Sequence, residues 1–97
     1  VPHTLRAEDI AKQLGVGYSW FRQSFKRITG IAPAQYISRL LISRAKEMLI
    51  SENHTITEIA YHLGFESVGQ FSTIFRKIEG ATPRQFREEN RLSYKND

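Results

Sequence analysis

Ser19, Arg22, Gln23 and Lys26 recur at steps of three and four residues, and Gly69, Gln70, Thr73, Arg76 and Lys77 repeat that spacing later in the chain. On a helix such steps collect side chains on one face. Arg offers a rigid fork of donors and Gln a donor beside an acceptor. Those groups match the edges of base pairs: Arg with O6 and N7 of guanine, Gln with N6 and N7 of adenine, each good pair giving about 1–3 kcal/mol of discrimination. Lys and Arg further along the same face suit phosphate oxygens. The ordinary explanation for one such face is a solvated helix surface, but its appearance twice in one chain favours a binding surface.

The elements that must position these faces are also repeated. The segment EDIAKQLGVGYSWFRQSFKRITGIAPAQYI is echoed by TEIAYHLGFESVGQFSTIFRKIEGATPRQF. Ile10, Ala11, Leu14 and Gly15 correspond to Ile59, Ala60, Leu63 and Gly64. After one extra residue in the second copy, Phe21, Phe25, Ile28, Gly30, Pro33 and Gln35 correspond to Phe71, Phe75, Ile78, Gly80, Pro83 and Gln85. The slip falls in a turn, where it does not rotate later side chains as an insertion inside a helix would.

Each copy reads as a short helix, a tight turn and a second helix. Gly15 and Gly64 stop the first helix, where a left-handed residue is needed. Ser67 is a good N-cap for the second helix of copy two, and Gly17 a tolerable one in copy one. Phe21, Phe25 and Ile28, and Phe71, Ile74, Phe75 and Ile78, form apolar stripes expected to pack inward. Gly30 and Gly80 end these helices. Pro33 and Pro83 open the next ones from a first-turn slot that needs no N–H donor, with Thr82 a proper cap and Ala32 a poor one.

From Pro33 to about Ser51 the residues Tyr36, Ile37, Leu40, Leu41, Ala45, Met48 and Leu49 follow helical spacing without an internal Gly or Pro. This predicts one connector helix of about 18 residues, about 27 Å long. Tyr36 and Phe86 are expected in the core, Glu52, Asn53 and His54 in a turn, and the tail from Leu92 to Asp97 frayed.

The expected architecture is all-α: a first helix-turn-helix subdomain at 1–32, a linker helix at 33–51 and a second helix-turn-helix subdomain at 52–97, together one DNA-binding unit of homeodomain-like kind. The outward residues are then Tyr18, Ser19, Arg22, Gln23, Lys26 and Arg27 in one copy. In the other they are Val68, Gly69, Gln70, Ser72, Thr73, Arg76 and Lys77. Successive major-groove faces on one side of B-DNA lie about 34 Å apart, a separation that the connector and the breadth of the motifs can span. The outward residues differ between copies, so the expected site is asymmetric.

Composition limits the alternatives. The 97 residues carry 14 Lys+Arg against 10 Asp+Glu, a net charge of +4, which permits an anionic partner. The chain has no cysteine, which removes disulfides, thiolate metal sites and a thiol nucleophile and suits the cytoplasm. His3, His54 and His62 are scattered, Glu8–Asp9 and Glu88–Glu89 are adjacent rather than on one helical face, and no phosphate-binding glycine loop occurs. Neither an enzyme, a cofactor, a metal nor a membrane span is indicated. A start at Val1 suggests a domain of a longer parent. A helical protein-interaction module is the competing reading, since repeated helix pairs also build scaffolds.

These residues resemble the DNA-binding domain of the AraC/XylS family of bacterial transcription regulators. The most specific portion is TITEIAYHLGFESVGQFSTIFRKIEGATPRQFR, similar to the family signature over its second helix-turn-helix. The preceding LRAEDIAKQLGVGYSWFRQSFKRITGIAPAQYISRLLISRAKEML resembles the first motif and the linker helix, so the likeness covers about residues 5–87. It implies about seven helices, with one helix of each motif in adjacent major-groove segments. Carried over by position, Ser19, Arg22 and Gln23, and Gly69, Gln70 and Thr73, face bases. Tyr18, Trp20, Lys26, Arg27, Ser67, Ser72, Arg76 and Lys77 then lie toward the backbone, with Trp20 either there or against the linker. Val68 and Gly69 lack hydrogen-bonding side chains where the family often has them, which leaves the second copy two routes, base reading or phosphate and shape. The resemblance also implies RNA polymerase as a partner and a separate sensing domain that responds to an effector.

Overall fold

The computed structural model describes residues 6–51 and 53–95, which form six α-helices: α1 Ala7–Gln13, α2 Tyr18–Thr29, α3 Pro33–Ser51, α4 Ile56–His62, α5 Val68–Glu79 and α6 Pro83–Lys95. The resemblance implies about seven, and no strand occurs among the described residues. Helix α6 continues through Leu92 to Lys95, where the sequence suggested fraying. Asn53 and His54 form the bend between α3 and α4, while Glu52 and His3 lie outside the described residues.

The turn inside each motif is built the same way. Gly15 and Gly64 hold φ of 75° and 85°. Their positive φ lets the next N–H reach back, Val16 to the Ala11 carbonyl at 3.0 Å and Phe65 to the Ala60 carbonyl at 3.0 Å. The glycine N–H groups bond Lys12 and Tyr61 carbonyls at 3.1 Å each. This paired pattern satisfies the last carbonyls of α1 and α4 and fixes the chain's exit direction. The extra residue of copy two follows it, so the slip leaves both helix pairs in register.

Capping is unequal between the copies. Thr55 and Glu58 form a reciprocal box at α4: the Thr55 N–H donates to Glu58 Oε1 at 2.8 Å, and Thr55 Oγ1 accepts from the Glu58 N–H at 3.0 Å. These hydrogen bonds, that to the Thr55 backbone foremost, hold the exposed Glu58 carboxyl below the usual carboxylate range. Thr82 and Gln85 form the same box at α6, at 2.9 and 3.1 Å. At α3 only half survives, because Ala32 has no acceptor and its N–H merely donates to Gln35 Oε1 at 3.4 Å.

The core follows the second motif. Ile42, Ala45, Met48 and Leu49 of α3 pack with Ile59, Ala60, Leu63, Phe65, Phe71 and Phe75, and half-buried Phe86 closes one side. Phe65, Phe71, Phe75 and Phe86 run in a chain with successive centroids 5.1, 5.8 and 5.6 Å apart. Ile42, absent from the helical set read in the sequence, is fully buried.

The first motif is built more openly and corrects several expectations. None of the residues of α2 is buried. Phe21 and Phe25 stack at 5.9 Å, and Phe25 meets Tyr36 at 5.6 Å, but Ile28 is 78% exposed, Leu14 64% and Tyr36 45%. Leu40 is likewise exposed, and Ile78, at the end of the second stripe, stays partly open. The C-terminal half of α3 packs on the second motif, where Ile42, Ala45, Met48 and Leu49 join its core.

Candidate nucleic-acid interface

Helices α2 and α5 have 12 residues each and end alike, at Gly30 and Gly80 with φ of 87° and 83°. Each glycine N–H donates at 2.8 Å to the carbonyl four residues back. Ser67 caps α5, its Oγ accepting the Gln70 N–H at 3.0 Å, whereas Gly17 gives α2 no side-chain cap.

Every candidate on the outward face of α2 is exposed: Tyr18, Ser19, Trp20, Arg22, Gln23, Lys26 and Arg27. Trp20 is 62% exposed. On α5, Gly69, Gln70, Thr73, Arg76 and Lys77 are exposed together with Ser67, and Ser72 is half-buried. The Gln70 side chain is partly engaged, because its Oε1 accepts the Glu66 N–H at 2.7 Å; its amide donors remain. A Cβ at Gly69 would meet only Ser67 Oγ, at 3.7 Å, so nothing within the chain requires a glycine there.

Charge is sorted between faces. Helix α2 contains no acidic residue, and the one in α5, Glu79, points to Lys46 at 3.3 Å. Among the described residues Arg22, Lys26, Arg27, Arg76 and Lys77 have no carboxylate partner. Unpaired cations on two matched faces create a positive potential that neighbouring acids do not cancel.

Two positioning residues escaped the sequence reading because their partners are distant in the chain. Arg87 of α6 donates through Nε to the Leu49 carbonyl at 2.9 Å and through a terminal nitrogen to the His54 carbonyl at 2.7 Å, tying the end of α3 to the following bend. Lys46 bridges α3 to Glu79 and lies 6.0 Å from the Phe86 ring centroid. Lys46 thus ties α5, and Arg87 ties α6, to the connector. Among the described residues no group of His, Asp and Glu could hold a metal ion, and no helix is long and apolar enough to cross a membrane.

Residues 10–89 match a family described as a helix-turn-helix domain. A transcriptional regulator with an AraC-type DNA-binding domain from Chromobacterium violaceum shares the fold with a TM-score of 0.77 and 31% identity, over 89% of this chain and 77% of that one. The chain belongs to the AraC/XylS family. Members of that family are DNA-binding regulators of transcription rather than enzymes. The C-terminal domain of AraT, a response regulator from Geobacillus stearothermophilus, is similar with a TM-score of 0.83 and 30% identity, over 88% of this chain and 70% of that one. The transcriptional activator RhaS of Salmonella arizonae is 35% identical over 81 residues, 84% of this chain and 29% of RhaS. The chain thus spans under a third of the length of the curated relatives it matches.

Proposed function

We propose that this AraC/XylS-family chain reads an asymmetric duplex DNA site with α2 and α5 in adjacent major-groove segments. The observation that carries this reading is the pair of matched 12-residue helices, each with polar side chains and unpaired cations outward and with Phe stripes behind. Arg22 and Gln23, with Ser19, are the base readers of the first motif. Gly69, Gln70 and Thr73 form the facing surface of the second, where the engaged Gln70 and the missing side chain at Gly69 shift the balance toward backbone and shape. Tyr18, Trp20, Lys26, Arg27, Ser67, Ser72, Arg76 and Lys77 hold phosphates. The units at 1–32 and 52–97 act as two half-site readers on the linker at 33–51.

The parent protein, on this reading, is a cytoplasmic regulator that activates transcription, contacts RNA polymerase and carries a sensing domain for an effector. Support comes from RhaS, whose name describes an activator and which is much longer than the matched segment.

Binding isotherms on duplex DNA and selection from a random duplex pool test the core of this proposal. An enriched asymmetric motif, lost in Arg22→Ala/Gln23→Ala while the domain keeps its helical circular dichroism, is the expected result. Unchanged binding by that double variant would remove α2 from the interface. No duplex binding by the wild type even at low salt would favour the interaction-module reading.

A further inference from the structure

Between the first half of α3 and one side of α5 lies an open groove of about 550 Å³, with Gln35, Ser38 and Arg39 on one wall and Ile74, Lys77 and Ile78 on the other. A smaller hollow of about 230 Å³ shares Ser38 and Ile74 with it and extends past Gln70 toward Arg6. Lys77 and Gln70 belong to the outward side of α5 as well, so the trough opens beside the proposed reading face.

The charge lining the larger groove is of one sign, while the acidic side chains Glu8 and Glu66 line only the smaller hollow. Arg39 and Lys77 oppose each other across the larger groove, no acidic residue lines it, and neither cation has a carboxylate partner among the described residues. From Pro33 to Arg44 the connector holds no Asp or Glu. Gln35 and Ser38 add hydrogen-bonding groups between the two charges.

When two helices enter major-groove segments one helical turn apart, the minor groove between them faces the protein, bordered by its two phosphate strands. The element that spans this interval is α3. We propose that the α3–α5 groove seats a phosphate strand bordering that minor groove, with Arg39 as an anchor outside both helix-turn-helix motifs and Lys77 opposite. This rests on the DNA-reading proposal and deepens it. Such a contact carries no base information; it fixes the distance and rotation of one reader relative to the other.

The test is the salt dependence of duplex binding for wild type, Arg39→Gln, Arg39→Lys and Arg44→Ala, each checked by thermal melting. Arg39 is exposed and its Gln variant keeps much of the stem, so folding is preserved. Losing one phosphate contact lowers the slope of log affinity against log salt by about 0.9, so the gap between wild type and Arg39→Gln narrows about 3.5-fold from 50 to 200 mM salt. Arg39→Lys restores the slope, because a phosphate accepts a point charge. Arg44→Ala, a change of the same charge on the same helix with a Glu47 partner at 3.1 Å, leaves it unchanged. The motif selected from a random pool is the same for Arg39→Gln as for wild type.

An unaltered slope in Arg39→Gln, an equal loss in Arg44→Ala, or a changed motif would each overturn the assignment, the first by giving the groove to another ligand and the last by making Arg39 a base or minor-groove reader. If the wild type binds no duplex at all, the DNA reading itself falls. Steep wild-type binding with a normal Arg39→Gln slope removes only the groove.

Discussion

Thr55 shows how much a single side chain settles in this chain. Its hydroxyl and the Glu58 carboxylate satisfy two backbone donors at the start of a helix only 7 residues long, too short to persist without its neighbours. Thr55→Ala is expected to cost about 0.5–2 kcal/mol, read from the shift in denaturation midpoint at constant slope. Glu58 adds a pH dependence. Because its carboxyl is held below the ordinary range by hydrogen bonds that need the ionised form, its contribution is present above the unfolded carboxylate pKa and fades as pH falls through the lowered folded value. Comparing acid titrations of stability for wild type and Glu58→Ala isolates it; identical acid limbs would contradict this account. Residue identities were legible here in advance: Ser67, Thr82, Gly15, Gly64, Gly30 and Gly80 all act as local chemistry dictates, since a cap depends on neighbours within four positions.

Helices α2 and α5 share their spacing of Phe residues yet are supported differently. Phe75 is fully buried between Phe71 and Phe86, whereas Phe25 is half-buried against Phe21 and Tyr36. Phe75→Ala is therefore expected to cost about 3–5 kcal/mol and to lose DNA binding only through unfolding. Phe25→Ala should cost clearly less, and Ile28→Ala should stay within about 0.5 kcal/mol as an exposed substitution. Equal destabilisation by Phe25→Ala and Phe75→Ala, measured by denaturant titration, would show that α2 is covered as fully as α5. At this scale the sequence was an incomplete guide. A period of three and four marks the face that can pack, but whether Leu14, Ile28, Tyr36 and Leu40 are covered depends on an element elsewhere in the chain. Ile42 escaped for the converse reason: α3 meets neighbours on several sides, so one stripe understates its buried surface.

The molecule as a whole is an elongated holder for two readers. Its extents are 49 × 28 × 20 Å, and the longest exceeds the roughly 34 Å between successive major-groove faces. A rigid connector without internal Gly or Pro makes that span fixed rather than adjustable. Inserting about five base pairs between the two parts of the selected site would turn one part to the far side of the duplex. About ten would restore its facing but stretch the interval to roughly 68 Å, beyond the protein's length. Both insertions should abolish high-affinity binding in gel-shift titration, and tolerance of either would mean that one motif suffices.

The sequence by itself determined the two helix-turn-helix copies, their stops and starts, the connector from Pro33 to Ser51 and the outward placement of the candidate readers, because all of these arise from interactions between residues close in the chain. Tertiary structure alone decided which apolar side chains are covered, that Arg87 and Lys46 brace the connector, and that Arg39 faces Lys77 across a groove. The Arg87 hydrogen bonds alone span separations of 38 and 33 residues. Local periodicity carries no information about such pairs, which exist only once the helices have packed.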